Sequence, residues 1–256
     1  MLKKAIFLLN NPGFIVYRLK SFFKNDIKNI KFKDDFDWDL YTVHYKAEIE
    51  LMKSENLSII KINDYSFINS KLICNIKNGL VLHTNHHVLY ETLLMLNPNS
   101  VIEFGCGGGD HLRNISTLNN QIKLNANDRS TNQIELLKER HRDLKVNIKI
   151  QNITEKFDIN EKYDISYSQA VIMHIKDGHL QAIENIFNTA NEQVVLMENW
   201  LEHDFYEDIQ MLFNEKRIKW DTLYLYINNF HSSNILIASK NKLSNFKELT
   251  NKSQLF

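Results

Sequence analysis

The densest chemical signal in the chain is Val101-Ile102-Glu103-Phe104-Gly105-Cys106-Gly107-Gly108-Gly109-Asp110, an apolar run that ends in four glycines within five residues. The whole chain has only seven glycines, so more than half of them are concentrated at this bend. A bare strand-to-helix turn needs one glycine; four leave the backbone open to close approach by a ligand at the strand's carboxyl end. No phosphate motif fits. A GxGxxG pattern from Gly105 meets Asp110 where glycine is required, the same pattern from Gly107 meets Leu112, and no Gly-Lys-Ser/Thr follows. Glu103, two residues ahead of the alternating Gly105, Gly107 and Gly109, adds a negative charge that would repel a pyrophosphate and attract an ammonium group.

Three other groups could do chemistry. Asp128 stands nineteen residues past Gly109, about where α/β nucleoside sites hold an acid against ribose hydroxyls, although a surface-turn carboxylate is the alternative. His83-Thr84-Asn85-His86-His87 opens a helix; its spacing could serve zinc, line a polar site or cap the helix, and without a cysteine or a neighbouring carboxylate no metal is expected. Glu198-Asn199-Trp200 closes a strand, where open α/β sheets place acceptor-contacting residues, so Glu198 reads as a candidate base and Asn199 as a substrate contact; solvated loop charge is the other reading.

The elements that must position these groups follow from hydrophobic periodicity. From Ser100 onward, short apolar strands alternate with helical patterns of about ten to fifteen residues, the grammar of a parallel sheet with crossover helices. The strands expected are 101–104, 122–127, 147–151, 163–168 and 193–198, followed by 222–227 and 235–239. Residues 228–234 are too few for a crossover helix, so the last two strands should pair antiparallel. The reading is therefore α/β, a Rossmann-like sheet of seven strands, five parallel plus an antiparallel C-terminal hairpin, spanning 96–240. Ahead of it, residues 1–95 read as a cap. It comprises a basic stretch over 1–33, acids around Phe36 and Trp38, a helix over about 40–52, a small antiparallel sheet between Leu57 and Leu82, and a helix from about Asn85 to Leu96 stopped by Asn97-Pro98-Asn99. Residues 241–256 are polar enough to fray.

Composition narrows the function. The 256 residues carry 31 basic and 31 acidic side chains, so no overall positive field would draw in nucleic acid. Cys74 and Cys106 alone cannot build a disulfide framework, which fits a reducing cytoplasm, and the apolar run Ala5–Leu9 is too short for a membrane span or a signal-peptide core. Ile15, Leu19, Phe22, Ile27 and Ile30 form one apolar stripe on the basic stretch, which would pack on the domain or, as a weaker alternative, touch an anionic membrane.

Glu103 with Gly105, Gly107 and Gly109, and the strand pattern over Ser100–Lys240 (141 residues, 240 − 100 + 1), resemble the first motif and core of class I S-adenosylmethionine-dependent methyltransferases. The resemblance implies S-adenosylmethionine as cofactor and S-adenosylhomocysteine as product. It implies a cofactor cradle of Glu103, Gly105, Cys106 and Gly107, with Asp128 on both ribose hydroxyls, Asn152 on the adenine amino group, Ile153 on its ring, and backbone near Ser168 and Gln169 along the methionine moiety. His174, in Met-His-Ile after the fourth motif, would lie below the mouth as a catalytic candidate or be a packed core histidine. His86 would be the catalytic candidate on the covering helix, with His83 and His87 lining the acceptor side. The Pro-Pro-aromatic and Pro-Cys motifs of nucleic-acid methylation are absent, and Ser168 and Gln169 stand where a metal-dependent branch wants a carboxylate. The function expected is O-methylation of a small polar acceptor, such as a capsule sugar or phosphorylated polysaccharide precursor. The alternatives are a protein, lipid or tRNA nucleoside acceptor, or a non-catalytic S-adenosylmethionine-binding module.

Overall fold

The computed structural model describes Trp38, Thr42 and residues 59–76, 82–230 and 233–255. The basic stretch with its apolar stripe, the acids at 34, 35, 37 and 39, nearly all of the helix expected over 40–52, and the Asn78-Gly79 turn lie outside the described residues.

Two strands, β1 (Tyr65–Ile68) and β2 (Lys71–Cys74), form an antiparallel hairpin whose turn places Asn69 and Ser70 at positive φ. Helix α1 (Thr84–Leu96) follows, capped by His83 at one end and stopped by left-handed Asn97 at the other. The βα alternation then runs through β3 (Ser100–Phe104), α2 (Asp110–Leu118), β4 (Lys123–Asp128), α3 (Thr131–Arg140), β5 (Val146–Ile150) and β6 (Tyr163–Gln169). A single 3₁₀ turn, Ile172–His174, leads to α4 (His179–Thr189), β7 (Ala190–Met197), α5 (Phe205–Asn214), β8 (Tyr224–Phe230), β9 (Ser233–Ser239) and β10 (Lys247–Glu248).

The main sheet has the order β10-β8-β9-β7-β6-β3-β4-β5. Strands β5, β4, β3, β6 and β7 are parallel; β9 is antiparallel to β7 and β8 to β9, as the short connection between the last two strands required. The winding reverses between β3 and β6, and such a switch point opens a crevice at the strands' carboxyl ends. The sheet is one strand wider than expected. Lys247 and Glu248 pair with Ile227 and Tyr226, and Leu249 is buried with its amide on Leu225 O at 2.7 Å. The polar segment after Lys240 therefore does not fray throughout: Leu249, with Leu243 and Phe246 packed on the core and an open edge strand to pair with, docks it.

Alternation along each strand divides the core in two. On β3, Val101 packs with Leu112, Leu124, Tyr167 and α1, while Ile102 and Phe104 face Ile183, Leu196 and Phe205 on the other side. Tyr65 and Leu72 of the hairpin belong to the first of these cores, so the hairpin packs beside α1 and α2 on the face that carries Glu103 and Tyr167.

Candidate active site

At the carboxyl end of β3 the chain turns through Gly105, Gly107 and Gly109, all at positive φ (71°, 50° and 79°). A Cβ at Gly105 would collide with the Val171 side chain and one at Gly109 would lie 2.5 Å from Leu137 Cγ, so both are required by packing as well as conformation. Gly107 differs: its Cβ would meet only Gln133 Oε1, at 3.3 Å. That side of the bend faces a cavity of about 540 Å³.

The bend is tied to β4. Gly105 N and Cys106 N both donate to Asn127 O (2.8 and 3.1 Å), Gly107 N donates to Asp128 Oδ2 at 2.9 Å, and Ser130 N donates to Asp128 Oδ1 at 2.9 Å. Burial raises the Asp128 pKa against the pull of these amide bonds. Glu103 is 1% exposed yet lines the cavity. Burial, reinforced by the Asp110 and Asp128 carboxylates, raises its pKa well above the ordinary carboxylate value, while the Tyr167 hydroxyl, donating to Oε2 at 3.0 Å, pulls the other way. Asn127 Oδ1, at the end of β4 in the cavity wall, is buried without a hydrogen-bond partner. Despite burial, bonds from His141 and Arg140 hold the Asp110 pKa below its usual value at the first turn of α2.

The cavity wall thus carries a buried acid, a buried orphaned acceptor and a glycine floor, an acceptor-rich set that suits an ammonium-bearing nucleoside rather than a diphosphate. The family model of a methyltransferase domain matches residues 101–193, the segment that carries this floor and the strands around it. This part of the chain is similar to a methyltransferase domain.

No curated protein sequence matches the chain. Among solved structures it is similar to the O-methyltransferase of a trans-AT PKS multienzyme from Brevibacillus brevis in complex with S-adenosyl-L-homocysteine (25% identity over 40% of this chain and 36% of that one, TM-score 0.36). It is also similar to an O-methyltransferase family protein from Burkholderia thailandensis (12% identity, 60% and 54%, TM-score 0.47) and to human N-acetylserotonin methyltransferase in complex with SAM (11% identity, 62% and 52%, TM-score 0.46). The chain spans between about a third and just over half the length of these solved chains.

Within and around this segment the residues singled out from sequence divide. Glu103, Gly105, Cys106, Gly107, Asp128, Asn152, Ile153, Gln169, His86 and His174 all line the cavity. Asn185, donating to Ile153 O and Glu155 O at 2.9 and 2.8 Å, braces the loop that carries Asn152 and Ile153. The Asn152 carbonyl, however, already accepts from Thr154 N (3.1 Å) and Thr154 Oγ1 (2.9 Å), so both its lone pairs are used within its own turn and it is not left to receive an adenine amino group.

Ser168 and Glu198 are buried away from the cavity and serve each other. Ser168 Oγ donates to Glu198 Oε1 at 2.7 Å, and the same carboxylate accepts Val171 N (3.0 Å) and Met173 N (3.1 Å). Glu198 is therefore the anchor of the turn after β6, which includes Ala170 at φ 52°, and not a base facing an acceptor. Asn199 caps its own loop, accepting Leu201 N at 3.1 Å, and does not line the cavity.

The three histidines of the HxxHH segment go separate ways. His83 Nδ1 accepts Asn85 N at 3.2 Å as the helix cap, and His87 turns to Glu91 (3.8 Å) and the edge of Tyr65. Only His86 reaches the cavity, where burial, then the neighbouring His111 and His83, push its pKa down to about 4. His174 sits exposed at the rim, edge-on to Trp38 at 6.0 Å between ring centroids.

Tyr90 and His111 also line the cavity, and neither belongs to a sequence motif. The His111 ring lies edge-on to His86 with centroids 4.8 Å apart, bonded at Nδ1 to Tyr90 Oη (2.8 Å) and at Nε2 to Gln169 Oε1 (3.2 Å). The signal available was position alone, since His111 follows the glycine bend directly.

Proposed function

We propose that the chain is a class I S-adenosylmethionine-dependent methyltransferase acting on a hydroxyl of a small polar acceptor, a capsule sugar or phosphorylated polysaccharide precursor being the reading carried by the sequence resemblance. The observation that carries the cofactor assignment is Glu103: a buried acid whose pKa is raised by burial and by the nearby Asp110 and Asp128 carboxylates, facing a cavity floored by Gly105 and Gly107. A ligand ammonium would convert this costly carboxyl into a paired carboxylate. Asp128 has its two oxygens aligned by backbone amides at the end of β4, where a nucleoside site holds ribose hydroxyls. Ile153 supplies an apolar wall for a base.

S-adenosylmethionine, when bound, supplies an electrophilic methyl carbon on a sulfonium. What remains for the protein is to bind, align and remove a proton. His86 is neutral at any pH well above about 4 and so stands in the proton-accepting form inside the cavity. His174, with its pKa lowered by burial of part of the ring, is the second accepting imidazole, at the rim. Trp38 and Val171 add apolar surface that would keep bulk water from the reacting oxygen.

The test is incubation with S-adenosylmethionine and a panel of nucleotide-activated and phosphorylated sugars, reading S-adenosylhomocysteine release and product mass. A mass gain of one methylene on a hydroxyl compound, lost in His86→Ala, supports the assignment. Methylation confined to added protein, lipid or RNA would overturn the small-acceptor reading.

A further inference from the structure

On one wall of the cavity His86 stands among three other rings. His86 and Tyr90 lie one turn apart on α1, and His111 lies in the first turn of α2. The His86 ring is perpendicular to that of His111 (86°) with centroids 4.8 Å apart, and it is flanked by His83 at 5.8 Å and Tyr90 at 6.4 Å. Among the described residues His86 is thus held by ring contacts, where a catalytic histidine is often oriented by a hydrogen bond at its second nitrogen. A ring held by packing is only as fixed as its neighbours. His111 is fixed at both nitrogens, Nδ1 meeting Tyr90 Oη at 2.8 Å and Nε2 meeting Gln169 Oε1 at 3.2 Å.

The order of these bonds is dictated from outside the cavity. Ile60 N–H can only donate, and it donates to Asn114 Oδ1 at 2.9 Å. Asn114 therefore presents Nδ2 to Tyr90 Oη at 2.8 Å, and the Tyr90 hydroxyl, receiving a proton there, gives its own to His111 Nδ1. His111 then carries its single proton on Nε2, toward Gln169 Oε1. A second proton would have to sit on Nδ1. The Tyr90 oxygen would then face two donors, Asn114 Nδ2–H and His111 Nδ1–H, and its own buried proton could go to neither. Burial disfavours that charge as well, and outweighs the opposing pull of Gln169 and Asp110.

We propose that His111 is a positioning residue for the His86 base: Ile60, Asn114 and Tyr90 lock it as a neutral imidazole whose ring fixes the His86 plane, so that the proton leaving the acceptor oxygen passes to His86 and not to His111. This deepens the methyl-transfer reading and rests on it for the role of His86. The titratable groups facing His86 are His83 and Tyr90 on its own helix and His111 and Asp110 on α2, with Glu103 of β3 acting on Tyr90. Asp110 is already engaged by Arg140 and His141, so the charge state of His111 is the variable that governs this wall. A cationic His111 beside His86 would make it a poorer base.

Tyr90→Phe removes the donor to Nδ1 while keeping the ring, and its effect is read in two ways. In ¹⁵N spectra of the histidine-labelled full chain, with His111 assigned by comparison with His111→Asn, the wild-type ring should be the neutral Nε2–H form from pH 8 down to pH 5. In Tyr90→Phe the midpoint of its protonation should rise by about 0.4–1 pH unit, the effect of one neutral hydrogen bond. A wild-type His111 that carries its proton on Nδ1, that is cationic in this range, or that titrates identically in Tyr90→Phe overturns the proposal. In methyl-transfer kinetics the acid limb of kcat/KM should move to higher pH in Tyr90→Phe and return when His111→Asn is added, because no second imidazole is then left to charge. Damage to packing alone would lower kcat without moving the limb. A limb that stays in place in Tyr90→Phe, or stays displaced in the double variant, overturns the positioning role. Full activity in His86→Asn would remove the base from the methyl-transfer reading and the positioning role with it, while the nitrogen spectra still decide whether His111 is locked.

Discussion

Glu103→Gln isolates the electrostatic core of the account. In the free protein the side chain is sealed from solvent, with the Tyr167 hydroxyl as its bonded neighbour and the Asp110 and Asp128 carboxylates acting on it from nearby. A group whose pKa is raised on folding contributes stability that is present below its unfolded value, near 4.5, and is lost as pH rises through the folded value; glutamine removes that loss, so the free variant should be the more stable protein at pH 8. Ligand binding should respond in the opposite sense. A hydrogen bond to a charged group is worth about 1.5–3 kcal/mol, so exchanging the carboxylate for an amide should weaken S-adenosylhomocysteine by roughly 10- to 150-fold. At a ligand concentration about a hundred times the wild-type dissociation constant, wild type gains about 2.7 kcal/mol of stability and the variant about 0.3–1.3 kcal/mol. For a chain of this size those gains correspond to melting-temperature rises of roughly 5–11 °C and 1–5 °C. The wild-type affinity should also climb with pH until the folded Glu103 pKa is passed, because an ammonium is held only after the proton leaves; 5′-methylthioadenosine, which has no amino-acid end, should show neither effect. Differential scanning fluorimetry across pH reads all of this. A Glu103→Gln protein that binds S-adenosylhomocysteine with wild-type affinity and the same pH slope refutes the reasoning.

The remaining predictions concern the scaffold. Gly107→Arg projects toward the cavity from a position at φ 50° whose Cβ would lie 3.3 Å from Gln133 Oε1, so it should abolish the S-adenosylhomocysteine shift and itself cost about 1–2 kcal/mol of stability, whereas Gly109→Ala, driven onto Leu137, should lower stability by about 1–3 kcal/mol in chemical denaturation. Glu198→Gln presents an amide donor to backbone amides that need an acceptor; the loss of about 1.5–3 kcal/mol should appear as a melting-temperature drop of roughly 3–12 °C with no change in the pH profile of methyl transfer. His179, paired with Asp208 at 3.4 Å and stacked on His203 with ring centroids 4.0 Å apart, has its pKa raised by that carboxylate. The pair should stabilise the fold below about pH 6.5 and lose that contribution as pH rises through the folded pKa, so Asp208→Asn should destabilise the protein at pH 6 more than at pH 8.

What could be read from the residues was local. The glycine bend is a contiguous signal whose strand, turn and helix are specified within ten residues, and the strand spacing after Ser100 dictated a parallel sheet ending in an antiparallel pair. What could not be read depends on contacts across the chain. The carboxyl end of β7 identifies Glu198 as near the crevice but not which way it points; its direction is decided by Ser168, thirty residues earlier, and by the amides of Val171 and Met173. His111 looks like an ordinary residue of an amphipathic helix until the fold brings Tyr90, 21 residues away, and Gln169, 58 residues away, to its two nitrogens. The three histidines of His83-Thr84-Asn85-His86-His87 are adjacent in sequence, yet the helix projects them to a cap, a cavity and a hairpin. Strand β10 has no hydrophobic pattern of its own; buried Leu249 and the scattered Leu243 and Phe246, packed against the core, hold the segment.

Whether an amino-acid nucleoside occupies the glycine-floored cavity is read from a crystal structure of the full chain with S-adenosylhomocysteine. The ribose hydroxyls should lie on the Asp128 carboxylate, the base against Ile153 and the ammonium beside Glu103. A complex in which the ligand lies elsewhere, or in which NAD takes the same cavity with its pyrophosphate over Gly107, would contradict that placement.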